Sequence, residues 1–286
     1  GRAMRARPRL LVLGTIARLF SCQEAVCDAS RYALTVRRPE HGECARVKEL
    51  HLIRHAEGTH NAAELHAERK KLHEKNDRHA ELHAQHGMAW VLLEEVSGLR
   101  YLDPPLTELG RAQAANLRSE LESEHVRFDA VVSSPFRRTL ETATLGIPQL
   151  GQGVTPTVPL VTTDLVRERI ANYTCDSRLD TRKLRIEYPH ASYEGVSEAD
   201  EPFMHDKEDG PDSAERVHAR VLRALQWLID LPDEQHVLAV VSHSHFLHAL
   251  MSAFATTLGT ELASRFRNAE RRVVHLCARV TPGHAS

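Results

Sequence analysis

Aromatic residues are scarce, at 5% of 286 residues; neither sign of charge dominates, and no apolar run is long enough to cross a bilayer. Each shortage excludes something. With 37 Lys and Arg against 39 Asp and Glu, the formal charge of −2 provides no basic field for nucleic acid or a lipid surface, so neither partner is expected. Five cysteines (Cys22, Cys27, Cys44, Cys175 and Cys277) form no zinc-type pair of pairs. Cys22 and Cys27 are separated by four residues with no second pair to match. All five are therefore read as reduced thiols of an intracellular protein. What remains, 42% hydrophobic and 27% charged residues, is ordinary for a globular chain that can bury a substantial core. The unusual abundance is histidine, with 19.

Residues 1–45 read as a disordered or targeting leader. Arg2, Arg5, Arg7, Arg9 and Arg18 precede the first acidic residue, Glu24, around the short apolar patch Leu10–Leu13. An untranslated leader ahead of Met4 is the competing reading. The expected location is cytoplasmic, with organellar targeting by this Arg-rich start as the alternative. Residues 46–280 are expected to form a single domain, followed by a tail at 281–286. Nothing in the sequence sets an oligomeric state.

Within the domain, apolar runs alternate with amphipathic stretches. Strands are predicted at Arg46–Ile53, Phe128–Pro135, Val158–Thr162, His236–Ser242 and Arg272–Ala278. Helices are predicted after Thr107 (a candidate N-cap), from about Phe136 to Leu145, from Asp212 or Ser213 to near Pro232, and from about His245 to Leu258. Such alternation implies an α/β architecture: a three-layer α/β/α sandwich around a mostly parallel sheet. Two segments break the rhythm. An inserted charged helix is expected over about 62–100, where His79, His83 and His86 share a helical face. With no carboxylate or cysteine framework beside them, these read as a solvated face and not as metal ligands. A polar, loop-rich cap is expected over about 171–211.

The chemistry collects where strands end. The first delivers Arg54 and His55, followed by Ala56, Glu57, Gly58, Thr59, His60 and Asn61. The second leads through Ser134, Pro135 and Phe136 to Arg137 and Arg138. The fourth delivers Ser242, His243, Ser244 and His245. Parallel strands align their C-terminal ends along one edge, so these groups can converge there. Two arginines and two histidines around one point suit a phosphate dianion, because guanidinium forks bind its oxygens in pairs and always carry charge.

The blocks Arg54–Asn61, Asp103–Ala114, Ser134–Ala143 and Val240–His243, with Asn268-Ala269-Glu270-Arg271 near the end, resemble the histidine phosphatase superfamily, also called phosphoglycerate-mutase-like proteins. The resemblance covers roughly residues 47–280 in the expected order. It implies that His55 is the nucleophile forming a phosphohistidine and that Arg54, Arg138 and Asn61 hold the phosphoryl oxygens. His243 would support the transition state, and Glu168, in Arg167-Glu168-Arg169, would be the proton donor. Arg138 is preferred to Arg137 by its spacing from Thr142-Ala143. The segment Thr174-Cys175-Asp176-Ser177-Arg178 resembles a plant and fungal branch. No cofactor and no metal are required by this chemistry, and the implied partner is a small-molecule phosphate monoester.

Each role carries a physical demand. His55 must be neutral, which neighbouring guanidiniums favour. Glu168 must hold a proton, which Arg167 and Arg169 would oppose and a bound phosphate dianion would restore. Ala56 stands where the family has glycine, and is expected to satisfy a demand for a small side chain, not for positive φ. Glu168-Arg169-Ile170-Ala171-Asn172-Tyr173 lacks the glycine and spacing of the mutase block, so a phosphomonoester hydrolase is favoured. A phosphoglycerate-mutase-type phosphotransferase and a catalytically silent phosphate-binding protein are the alternatives.

Overall fold

The computed structural model describes residues 32–37, 44–65, 101–150, 155–171, 174–197, 212–258 and 262–280. Its seven-stranded sheet has the order β1-β7-β2-β6-β3-β4-β5. The strands are β1 (Tyr32–Arg37), β2 (Arg46–Arg54), β3 (Ala130–Ser133), β4 (Leu160–Thr163), β5 (Ala191–Gly195), β6 (Val237–Ser242) and β7 (Arg271–Val280). Strands β2, β6, β3, β4 and β5 run parallel. Strand β7 is antiparallel to both β2 and β1. The helices used below are α1 (Thr59–Leu65), α2 (Glu108–Ser123), α3 (Arg137–Gly146), α4 (Thr181–Glu187), α5 (Ala214–Asp230) and α6 (Ser244–Ala253).

The period-two side-chain alternation of the inner strands divides the core in two. Leu50, Leu52, Leu238 and Val240 join Val221, Leu225, Leu228 of α5 and Phe246, Leu247, Leu250 of α6 on one face. Ile53, Val131, Ala239 and Val241 join Leu117, Leu121 of α2, Leu140 of α3 and Leu184 of α4 on the other. Strands buried on both faces must be apolar throughout, which is why β3 and β6 read as continuous runs. The expected α/β/α layering with a mostly parallel sheet is therefore what the chain adopts.

Three expectations need correction. The segment 1–45 is not all leader: Tyr32–Arg37 pairs along β7, and Val36 is fully buried. Its alternating pattern is short and precedes a polar stretch, so it carries little signal until β7 supplies a partner. The expected loop-rich cap contains both α4 and β5, the latter a short strand with few β-branched residues that pairs with β4. The cysteines are not all reduced thiols, because Cys44 and Cys277 form a disulfide across 233 residues of sequence. Their proximity is created by the return of the chain from β1 to β2 alongside β7, which sequence spacing cannot report. Disulfides persist in oxidising surroundings, so the cysteine argument for a reducing compartment no longer stands. Cys175 is buried and outside this disulfide.

The His-rich face at His79, His83 and His86 and most of the expected insert lie outside the described residues. Among the described residues no group of His, Cys, Asp or Glu is placed to hold a metal ion, and no helix is long and apolar enough to cross a membrane.

Candidate active site

Adjacent parallel strands bring the chemical residues to one edge. The pairing of Arg54 with Ser242 sets the ends of β2 and β6 level, and Ser133 pairs with Val241 on the other side of β6. One step beyond the strands, the rings of His55 and His243 lie 5.1 Å apart, and His60 from α1 lies 5.8 Å from His55. All three imidazoles are buried.

His55 is held at several points. Its Nδ1 lies 2.7 Å from the Ala56 carbonyl, an interaction that requires Nδ1 to carry the proton and leaves the Nε2 lone pair as the reactive site. Its own carbonyl accepts from the side chain of Asn268 and from the backbone N–H of Ala269, which adopts φ of 57°. Ala56, in turn, has no positive φ; it is fully buried, and its N–H donates to Thr142 of α3. The position therefore needs a small side chain, as expected. Behind it, Thr107 caps α2 by accepting from the N–H of Gly110, and its backbone and hydroxyl both donate to Glu57. A Cβ on Gly110 would collide with the Glu57 carbonyl, so glycine lets α2 brace this loop.

The cations are equally constrained. Arg54 donates to the Phe266 carbonyl at 2.8 Å. Arg138, only 1% exposed, donates from Nη1 to the Cys175 carbonyl and from Nε to His243 Nδ1, while its guanidinium lies 4.5 Å from the Phe136 ring centre. Because arginine can only donate, His243 must carry its proton on Nε2, which faces Ser134 Oγ at 2.8 Å. Arg137, by contrast, points its side chain at Glu187. Burial, then the charges of Arg138 and Arg54, push the His55 imidazole well below its ordinary range. Burial and Arg138 do the same to His243, and to His60.

Asn61 closes a turn, its side-chain oxygen accepting from the Gly58 N–H, and it lies at the base of the His55 loop beside Asn268. Glu168 is placed differently from a protonated acid. Its carboxylate sits at the N-terminus of α6 and accepts from the N–H groups of Arg169, His245 and Phe246. His245 Nδ1 lies 3.4 Å away. Burial works to raise this carboxyl, but His245 and the backbone donors outweigh it and hold it below its usual range.

Reading the sequence alone missed several groups. Ser134 and Thr142 were quoted only as members of a block, yet one binds His243 and the other supports both Ala56 and the carbonyl of Arg138. Asp103, with φ of 40°, accepts from the N–H groups of Arg137 and Leu179 and so ties the start of α3 to the segment after Arg178. His60 packs so closely that a Cβ on Gly58 would lie 2.7 Å from its Nδ1. Signals for Asp103 and His60 were present as a polar residue before two prolines and a histidine beside Asn61.

Known proteins resemble this chain along most of its length. A phosphoglycerate mutase-like protein of Arabidopsis thaliana is 27% identical over 255 residues, covering 79% of this chain and 83% of that protein. A probable phosphatase of Schizosaccharomyces pombe is 27% identical over 164 residues, covering 56% and 71%. Among solved structures, phosphoglycerate mutase of Bacillus anthracis is 18% identical at a TM-score of 0.47, covering 82% of this chain and 92% of that one. The family model of the histidine phosphatase superfamily (branch 1) matches residues 78–279, a span that contains Arg138, Glu168 and His243 and begins beyond Arg54 and His55. On that match this chain belongs to the histidine phosphatase superfamily.

Proposed function

We propose that this protein is a phosphomonoester hydrolase working through a phosphohistidine on His55. The observation that carries this reading is the fixed tautomer of His55: Nδ1 is tied to the Ala56 carbonyl, so Nε2 presents a lone pair in the field of the Arg138 and Arg54 guanidiniums. Arg54 and Arg138 bind the phosphoryl oxygens, with the Asn61 amide completing the cradle, and His243 stabilises the charge that develops as phosphorus is attacked. Glu168 gives the proton to the leaving oxygen, the bound phosphate dianion restoring a proton that its backbone donors at the start of α6 oppose. Water then attacks the phosphohistidine and releases phosphate. The substrate is a small phosphate monoester, and no metal is needed for either half.

Hydrolysis is favoured over phosphate return to substrate because the stretch after Glu168 lacks the glycine of the mutase block. Transfer between positions of a phosphoglycerate is the second reading, supported by the mutase-like relatives. Assaying a panel of phosphomonoesters beside phosphoglycerate interconversion tests the choice. Phosphate release with no interconversion is expected; rapid interconversion with little release would reverse it. Labelling of wild-type protein by a phosphorylated substrate, absent in His55→Ala, is expected. Protein that never labels and turns over no ester would favour a silent binding role.

A further inference from the structure

Resting on the hydrolase reading with Glu168 as its acid, we propose that Arg220 is a positioning residue. Reaching from α5, and working with Asp212, it fixes the backbone on either side of Glu168 and so sets where the acid meets the leaving oxygen. Residues 167–171 lie in no helix or strand, so their backbone groups need partners from elsewhere. Side chains supply them. Ser242, the residue before His243, donates from Oγ to the Val166 carbonyl at 2.6 Å. Arg220 donates from Nη1 to the Arg167 carbonyl at 2.7 Å and from Nη2 to the Glu168 carbonyl at 3.1 Å. The same Nη2 lies 3.0 Å from Asp212 Oδ2, which also accepts from the Ile170 N–H at 3.0 Å. The Asp212 N–H donates back to the Ile170 carbonyl. Asp176 accepts from the Ala171 N–H at 2.8 Å, on a carboxyl that burial first, and then the charge of Glu168, push up to about 7.

These ties register the acid to the phosphate site. Ser242 holds the start of the loop beside His243. The Glu168 carboxylate accepts from the N–H groups of His245 and Phe246, in the first turn of the helix that begins just after His243. Arg220 reaches both parts: its guanidinium lies 5.8 Å from the ring centre of Phe246 while it holds the carbonyl of Glu168.

The residue type suits the task. A planar fork with its donors spread along one edge can bridge two consecutive carbonyls and a carboxylate together, whereas an ammonium offers its donors from a single point. Arg220 is buried; burial brings its guanidinium down to about 10 against the raising pull of Asp212, so it stays charged at neutral pH. A general acid must come within hydrogen-bond reach of the oxygen it protonates, and a misplacement of about 1 Å costs on the order of 10²-fold. Loosening the loop should therefore act on the acid step and spare the groups that hold phosphate.

Leaving-group dependence separates positioning from general damage. In Glu168→Gln, kcat on alkyl phosphates is expected to fall by about 10²-fold or more, and on aryl phosphates, whose leaving groups need no acid, by only a few-fold. Arg220→Gln should show the same selectivity at smaller size, about 10- to 10²-fold on alkyl phosphates, with KM and inhibition by inorganic phosphate little changed. Arg220→Lys, which keeps the charge and can reach one carbonyl, should recover part of the loss. The double variant of Arg220→Gln with Glu168→Gln should turn over alkyl phosphates within about twofold of Glu168→Gln alone, since the clamp then has no acid to place. Should Arg220→Gln fail to fold, Asp212→Ala takes its place in each test, because it removes the Ile170 tie and leaves Arg220 its two carbonyls. Equal losses on alkyl and aryl phosphates, or losses that multiply in the double variant, would overturn the positioning role while a selective Glu168→Gln keeps the acid reading. If Glu168→Gln itself is unselective, or wild type cleaves neither ester, the reading beneath fails and the positioning role falls with it.

Discussion

The ends of β2 and β6 present the same residue type at the same height and restrain it in opposite ways. His55 has one ring nitrogen engaged, by its neighbour's carbonyl, and the other left for chemistry. His243 has both engaged, one by Arg138 and one by Ser134. Burial and the same arginine depress both. Electrostatics therefore does not distinguish the proposed nucleophile from its proposed support; hydrogen-bond connectivity does. A ring locked between a guanidinium and a hydroxyl is a rigid strut, whereas a ring pinned at one nitrogen is an aimed lone pair.

Substitution at each end puts that contrast at risk. His55→Ala is expected to remove at least about 10⁴-fold of kcat and all covalent labelling. His243→Ala should cost less, about 10²- to 10³-fold, and still allow slow labelling of His55. Equal losses with no labelling in either variant would erase the proposed division of labour. Arg138→Ala should fall in the same 10²- to 10³-fold range, and should also lower stability by about 1–3 kcal/mol, because the Cys175 carbonyl and His243 Nδ1 lose a buried donor. Thermal unfolding beside kcat would separate the two effects.

Acidity sharpens the comparison further. Protonation removes the His55 lone pair, so the rate falls as pH drops through its folded pKa, and that pKa is depressed. The acid limb of kcat/KM should consequently lie below the 6.5 of a free imidazole. A limb at or above that value would mean that burial and the arginines do not act on the free enzyme as described. The smallest expected change is Ser134→Ala. It deletes only the partner of His243 Nε2, and about a tenfold loss of kcat with KM little changed is expected.

What could be read from sequence divides along physical lines. That Arg54, His55 and His243 come together was legible because buried parallel strands are continuous apolar runs, and residues at their ends must meet along one edge; Arg138, inside α3, was singled out only by the family resemblance. The N-cap Thr107 was legible as well, since a hydroxyl before an amphipathic run has a local cause, whereas the start of α5 was left between Asp212 and Ser213, of which Ser213 is the cap. Strands β1 and β5 were not, because their stability comes from partners far along the chain. Nor was the state of Glu168. The two arginines beside it suggested the pressures on its proton, but the helix terminus that settles on its carboxylate begins at Ser244, 76 residues on. Asp176 was visible only as part of a block. Its raised carboxyl comes from burial and from the charge of Glu168, neither of which can be read from its sequence neighbours.

The Cys44–Cys277 bridge has a consequence for how this chain breaks. It joins Cys44, two residues before β2, to a residue within β7, so nearly every described element lies inside one covalent ring. A protease that cuts any single connection within that ring opens the backbone but releases no fragment. The nicked chain keeps its full mass on a denaturing gel until a thiol reductant is added, and only then separates into two pieces.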